Sequence, residues 1–167
     1  MSKYKVLLSL GSNIGDREIN LKTVIDYLHH FNIITEIKKS NLYETEPVGE
    51  KNQAYFLNMC ISGYTSQSAL SLIDTLKNLE KEMGRIDRGK WQAREIDIDI
   101  LLYEDIALNH DKLELPHPRM HQRKFVLMPS NDIENQMIHP VFNKTIKQLF
   151  EDCEDESEIK VFKSNKF

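Results

Sequence analysis

Between residues 96 and 103 the chain reads Ile-Asp-Ile-Asp-Ile-Leu-Leu-Tyr. Apolar and charged residues alternate with a period of two. The segment is therefore a strand whose isoleucines enter a core while Asp97 and Asp99 project together from the opposite face. Such a strand suits a sheet that buries one face in a core. The preceding sequence supplies that sheet. Residues 3–10 form a short apolar strand, stopped by Gly11-Ser12-Asn13. Residues 33–43 and 55–64 are two further strands, close enough in sequence to pair as antiparallel neighbours, with Glu46-Pro47-Val48-Gly49 as a loop. Ile19, Val24, Ile25, Leu28 and Phe31 fall near a 3.6-residue period, with Asp16 and Glu18 where acids favour a helix start. A second helix carries Leu70, Ile73, Leu76, Leu79 and Met83, with Ser66 or Ser68 as its cap and Gly84 at its end. The order β-α-β-β-α-β predicts an α+β, ferredoxin-like antiparallel sheet with both helices on one face.

Beyond Tyr103 the pattern predicts a short strand at Ile106-Ala107-Leu108 and a rigid turn at Leu115-Pro116-His117-Pro118. Residues 123–128 read as a short helix ended by Pro129, and residues 145–151 as another. Residues 151–158 hold six acids and no base and read as a solvated, mobile segment. There is no repeat and no Gly-, Ser- or Pro-rich linker, so one domain over residues 1–167 is expected. No run approaches the roughly 18 apolar residues of a membrane span. The start lacks a signal peptide's apolar region, and the two cysteines, Cys60 and Cys153, form no CxxC. A reducing cytoplasm fits this cysteine usage; a disulfide scaffold or zinc site does not. The formal charge of −4 argues against a general nucleic-acid binder. That acidity belongs to residues 151–158, and the rest of the chain is slightly basic.

Two carboxylates side by side repel and raise each other's pKa unless a cation lies between them, and hard oxygen ligands of this kind suit Mg²⁺. Taken alone, the pair is also what the wet face of an amphipathic strand presents. The loop before it adds Arg85, Arg88, Lys90 and Arg94 within ten residues. Carboxylates that hold a metal, beside arginines that neutralise phosphate oxygens, suit a Mg-nucleotide. Trp91 in this polar loop is either an anchor or a face for a flat ligand. The proline-held turn presents His117 and Arg119, and Arg123 and Phe125 follow. Neither GxxxxGK[ST] nor GxGxxG occurs, which excludes a P-loop or Rossmann nucleotide site, and there is no GxSxG elbow. Cys60 lies in an apolar strand and reads as core.

The ordered set of motifs resembles the 6-hydroxymethyl-7,8-dihydropterin pyrophosphokinase family of folate biosynthesis. It runs through Leu10-Gly11-Ser12-Asn13, Tyr43-Glu44-Thr45-Glu46-Pro47-Val48-Gly49, Phe56-Leu57-Asn58 and Glu80 to Gly84-Arg85. It continues with Trp91-Gln92-Ala93-Arg94-Glu95-Ile96-Asp97-Ile98-Asp99-Ile100-Leu101, Pro116-His117-Pro118-Arg119-Met120 and Arg123-Lys124-Phe125. The resemblance implies transfer of a diphosphate from ATP to the pterin hydroxymethyl group. It implies Asp97 and Asp99 as ligands of two Mg²⁺ ions, and Arg85 and Arg94 with that pair as the catalytic set. ATP would be held by Glu80, Arg88, Trp91, Arg94, Ile100, Lys112, Leu113, His117 and Arg123. The pterin would lie among Thr45, Glu46, Val48, Phe56, Asn58, Trp91 and Phe125. The partners implied are these small molecules, with no nucleic acid or membrane, for a cytoplasmic monomer or homodimer. Gln92-Ala93 replaces the family's usual small Gly-Pro pair, and Lys90 and Lys112 stand where arginines are common; lysine keeps the charge and loses the fork. The rivals are a non-catalytic ferredoxin-like module that binds a small ligand, and an RNA-binding sheet. The acids on the 96–103 strand argue against the second.

Overall fold

The computed structural model describes residues 2–167. Strands β1 (Tyr4–Ser12), β4 (Phe56–Thr65) and β5 (Asp97–Tyr103) form the centre of the main sheet, with β1 antiparallel to both neighbours. Strands β2 (Thr35–Lys39) and β3 (Leu42–Thr45) both pair with β4. The single strand expected over residues 33–43 is thus two. Glu36 has a φ of 54° and the register shifts between Thr35 and Lys38. At the break, Ser40 Oγ accepts the Cys60 N–H at 2.9 Å, replacing a ladder partner. Strand β1 also runs two residues further than expected, through Gly11 and Ser12.

Helices α1 (Arg17–His30) and α2 (Ala69–Glu82) lie on one face, as the element order predicts. Asp16 caps α1 and Ser68 caps α2, each accepting a backbone N–H from its helix's first turn. Gly84, at φ +88°, takes the left-handed conformation that ends α2. The buried stripe of α1 is Leu21, Val24, Ile25 and Leu28; Ile19 and Phe31 are 49% and 58% exposed and do not belong to it. On α2, Leu72, Ile73, Leu76 and Leu79 carry the burial, while Leu70 and Met83 pack at its margin. These side chains meet Val6, Leu8 and Leu10 of β1, Leu57, Met59 and Ile61 of β4, and Ile96, Ile98 and Ile100 at β5.

The other face is covered by the C-terminal half of the chain. Helix α3 (Lys124–Glu134) runs through Pro129 rather than ending there. A mid-helix proline forfeits one hydrogen bond and crowds the preceding turn. Here Val126, Leu127, Pro129 and Ser130 are buried, and Ser130 Oγ donates to Val126 O at 2.7 Å. Helix α4 (Ile146–Asp152) starts with a reciprocal capping box between Thr145 and Gln148. Both helices join Leu7, Cys60, Leu101 and Leu102 in a second core. Cys60 is fully buried, and burial pushes its thiol up to about 12. Two small ribbons and one more strand of the main sheet complete the picture. Strands β6 (Leu108–His110) and β7 (Leu113–Leu115) form a hairpin, as do β8 (Ile138–His139) and β9 (Lys144–Thr145). Ile106 is in a turn, its N–H donating to Tyr103 O, so the strand expected there starts instead at Leu108. Strand β10 (Ile159–Phe162), for which the sequence offered no signal, pairs with β3 and gives the sheet order β10-β3-β4-β1-β5. The acidic stretch 151–158 is tied down at several points. Glu151 and Asp152 close α4, and Asp155 Oδ2 accepts the Lys124 N–H at the start of α3.

Glu134 shows how the second layer is fastened. Its carboxylate is 7% exposed, accepts from Ser62 Oγ at 2.7 Å and lies 2.8 Å from Lys5 Nζ. Burial alone would raise its pKa; the Lys5 and Ser62 hydrogen bonds outweigh it, so the pKa lies below the ordinary 4.5. A depressed carboxylate contributes stability that is present above its unfolded value and lost as pH falls through its folded value. Below pH 4.5 the wild type should therefore lose stability faster than Glu134→Gln, which already starts less stable at pH 7. Urea melts at pH 7 and pH 4 check this; parallel losses would show that Glu134 carries no such linkage.

Candidate active site

The second helical layer covers only part of its sheet face. At the uncovered end, alternation places Ser9 and Gly11 of β1, Asn58 of β4, Thr45 of β3, and Asp97 and Asp99 of β5 on one open floor. Gly11 sits opposite both Asn58 and Asp97, and Ser9 opposite Asp99. The floor belongs to a cavity of about 380 Å³. A Cβ on Gly11 would lie 2.7 Å from Asn58 Oδ1, so glycine leaves the amide its room. Asn58 Nδ2 donates to Thr45 Oγ1 at 2.7 Å, which fixes the orientation of the amide. Phe56, Phe125, Val48 and Trp91 supply apolar walls, and Glu46, Arg94, His117 and Arg123 supply charge and hydrogen-bonding groups.

Asp97 is held between two guanidinium groups, with Arg85 Nη1 3.3 Å from Oδ1 and Arg94 Nη1 3.2 Å from Oδ2. Asp99 Oδ1 is 3.7 Å from Lys77 Nζ. Burial, followed by the like charge of Asp97, pushes the Asp99 carboxyl up to about 6. Asp99 lacks the paired guanidinium contacts that Asp97 has, which fits a divalent cation beside it. Among the described residues no third His, Cys, Asp or Glu joins the pair as a closed metal cluster. Two carboxylates leaving the remaining positions to water and phosphate oxygens are what Mg²⁺ commonly takes. His117 is pushed down to about 4 by burial and by the Arg123 charge, so it is neutral at pH 7. Its Nδ1 accepts the Arg119 N–H at 3.1 Å, which leaves the proton on Nε2 as a donor.

A second groove of about 530 Å³ shares Lys90 and Arg94 with the first and is lined further by Lys77, Glu80, Arg85 and Arg88. Glu80 is buried under its rim. Its Oε2 accepts the Ile98 N–H at 2.7 Å and a Lys77 ammonium hydrogen at 3.2 Å, and Arg85 Nη1 donates to Oε1. Arg88 is occupied by a two-pronged contact to Glu95, at 2.9 and 2.6 Å. Three residues from the implied ATP set lie outside both spaces. Ile100 and Leu113 are in the helix-side core, and Lys112 is 3.4 Å from Asp74 on the surface.

Two loops close over the floor, and Asn13 ties both. Its Nδ2 donates to Gln53 Oε1 and Ala54 O, both at 2.9 Å; its Oδ1 accepts the Arg94 N–H at 2.7 Å, and its own N–H donates to Arg94 O at 3.0 Å. Gln53 Nε2 in turn donates to Trp91 O at 2.8 Å, and a Cβ on Gly49 would lie 2.8 Å from Trp91 Cβ. Three cations, Lys90, Arg119 and Arg123, stand 5.3, 5.6 and 5.9 Å from the Trp91 ring centroid. Lys77 and Gln53 were not among the residues singled out in the sequence, and Asn13 stood there only within the Leu10-Gly11-Ser12-Asn13 motif, with no role in the site. They matter because distant segments meet on them.

Paired carboxylates among arginines suit a phosphate chain, and a narrow slot with an oriented amide suits a flat, polar-edged ring. Together they define an enzyme that transfers a phosphate-derived group to a small heterocyclic acceptor. Comparison with known proteins names the family. Residues 7–135 match the model of 7,8-dihydro-6-hydroxymethylpterin-pyrophosphokinase. A 2-amino-4-hydroxy-6-hydroxymethyldihydropteridine pyrophosphokinase of Aquifex aeolicus is 42% identical over 144 residues, 86% of this chain and 89% of that one. The Bacillus subtilis protein of the same name is 42% identical over 130 residues, 78% of each chain. The chain belongs to the 7,8-dihydro-6-hydroxymethylpterin-pyrophosphokinase family. A Plasmodium falciparum HPPK-DHPS crystal structure shares the fold at TM-score 0.71 and 18% identity. The match covers 90% of this chain, which spans less than half (45%) of the larger protein.

Proposed function

We propose that the chain transfers a diphosphate group from ATP to the hydroxymethyl oxygen of 6-hydroxymethyl-7,8-dihydropterin and releases AMP, as a step of folate biosynthesis. The observation that carries this reading is the continuity of the cleft. A slot floored by Asn58 opens directly onto Asp97, Asp99 and Arg94, and Arg94 is shared with the basic groove beyond. The new bond joins the hydroxymethyl oxygen, whose proton passes to solvent, to the β-phosphorus. The bond from the β-phosphorus to the oxygen bridging to the α-phosphate breaks, and AMP leaves with that electron pair.

Asp97 and Asp99 would hold Mg²⁺, two ions in this reading, which when bound neutralises phosphate charge and makes the bridging oxygen a better leaving group. Arg85, Arg94 and Arg123 offset the negative charge that spreads over phosphate oxygens during transfer. Neutral His117 offers a hydrogen bond without adding charge. Thr45 and Asn58 orient the pterin edge, and Phe56, Phe125 and Trp91 enclose its faces. The two loops that meet at Gln53 and Trp91 keep out water, which would compete with the hydroxymethyl group. Residues 1–167 act as one cytoplasmic unit in this reading, consistent with the bacterial relatives and the free cysteines. Incubation with ATP, Mg²⁺ and the hydroxymethyl pterin should yield AMP and pterin diphosphate in equal amounts. Absence of AMP would reject this reading in favour of a non-catalytic binding module.

Gly11→Ala is expected to raise the pterin KM about tenfold, the loss of roughly one well-placed hydrogen bond. The added methyl would meet Asn58 Oδ1 at 2.7 Å and displace the amide. The ATP KM should stay within about twofold, since Gly11 does not line the second groove. An unchanged pterin KM would remove Asn58 from pterin recognition.

A further inference from the structure

We propose that the C-terminal segment, residues 159–167, is a strap that fixes the slot end of the cleft, and that Arg17 is the positioning residue through which it acts. The inference rests on the diphosphotransferase reading for its kinetic arm only. Strand β10 lies beyond residue 135, where the family match ends. It nevertheless borders the strand that builds the slot, with Ile159 opposite Thr45 and Phe162 opposite Leu42.

One guanidinium joins this strap to three other elements. Arg17 is the first residue of α1. Its Cζ lies 5.6 Å from the Phe162 ring centroid. Its Nη2 is 2.7 Å from Glu44 Oε2 on β3, and its Nη1 donates to Tyr55 O at 2.8 Å. Tyr55 is the last residue of the loop that leads into β4, and the next side chain, Phe56, is a wall of the cavity. The same loop carries Gln53, which reaches Trp91. The tail closes over the start of α1 at two further points. Ser164 Oγ donates to Glu18 Oε2, and Lys166 Nζ donates to Asp16 Oδ2 at 2.8 Å.

The chemistry of arginine explains why one residue can do this. Its planar fork donates in two directions while its face rests on an aromatic ring. The Phe162 ring and the Glu44 carboxylate limit the guanidinium to one orientation, and that orientation aims Nη1 at the Tyr55 carbonyl. Without them the hydrogen bond is one of many rotamers of a partly exposed side chain. Fixing Tyr55 fixes the hinge of the loop, and so the position of Phe56 and Gln53. Small displacements of positioning groups are costly to binding geometry.

The test uses the full chain with Arg17→Ala, Arg17→Lys and Phe162→Leu, the last keeping apolar bulk while removing the ring face. Steady-state kinetics, thermal melts and hydrogen exchange of the protein without substrates are measured for each. In Arg17→Ala the pterin KM should rise about tenfold and exchange at amides 46–55 quicken by a similar factor, with the ATP KM within about twofold and Tm shifted by only a few degrees. Phe162→Leu should show the same split at smaller size, and Arg17→Lys should fall between wild type and Arg17→Ala. Unchanged exchange and pterin KM in Arg17→Ala would overturn the proposal. So would equal rises in both KM values with a large fall in Tm, which would mark Arg17 as merely structural. If wild-type protein makes no AMP, the reaction reading fails, while the exchange measurement still judges the strap by itself.

Discussion

Asp97→Ala should lower turnover by at least about a thousandfold while the protein stays folded, because metal-assisted charge neutralisation supplies several kcal/mol of transition-state stabilisation. The fold survives because Asp97 is not a core residue. Its side chain is 24% exposed, and its partners Arg85 and Arg94 are also partly exposed. Arg85 keeps Glu80 as a second partner. The loss is specific to one position in the cleft: Asp97 and Asp99 leave the same face of β5, and among the described residues no third acid joins them in a metal cluster. Mg²⁺-dependent protection by ATP against thermal unfolding should vanish in the same variant. Normal turnover, or retained Mg²⁺-dependent protection, would show that the pair does not hold the metal.

Arg94→Ala should lower turnover by about a hundred- to a thousandfold with the pterin KM changed by little more than twofold, the size expected for removing one preorganised charge from a developing phosphate oxyanion. Its backbone stays in place in the variant. Both the N–H and the carbonyl of residue 94 are bound by Asn13, at 2.7 and 3.0 Å. The substitution therefore deletes a side chain without releasing the loop. Arg94→Lys should recover part of the turnover, since it restores the charge without the two-pronged geometry. A fall in pterin affinity with unchanged turnover would assign Arg94 to the pterin.

The structure explains why some parts of the molecule were legible in the sequence and others were not. The 96–103 alternation placed Ile96, Ile98 and Ile100 in the core and Asp97 and Asp99 on the other face because side-chain direction in a strand is a local property. The first helix was equally visible as a helix, yet Ile19 and Phe31 were assigned to its buried stripe and are exposed. A 3.6-residue period tells which residues share a face, while the edge of that face depends on what packs against it. The C-terminal half was the least legible. Pro129 reads as a stop, and the helix continues because Val126, Leu127 and Ser130 are buried against a second core that no local pattern announces. Strand β10 is four residues long and gains its identity from pairing with β3, over a hundred positions earlier.

The same division holds for the site. Sequence alone determined the chemistry: which residue types are present, the acidic pair, the basic loop before it, and the ordered motifs that mark the family. Tertiary structure decided the geometry. It set Gly11 beneath Asn58, gave Asn13 two loops to hold, and left Ile100, Leu113 and Lys112 outside the cleft. The physical reason is range. Strand direction, helix caps and charge content follow from neighbours along the chain, whereas a cleft is the space left when two helical layers cover unequal shares of one sheet.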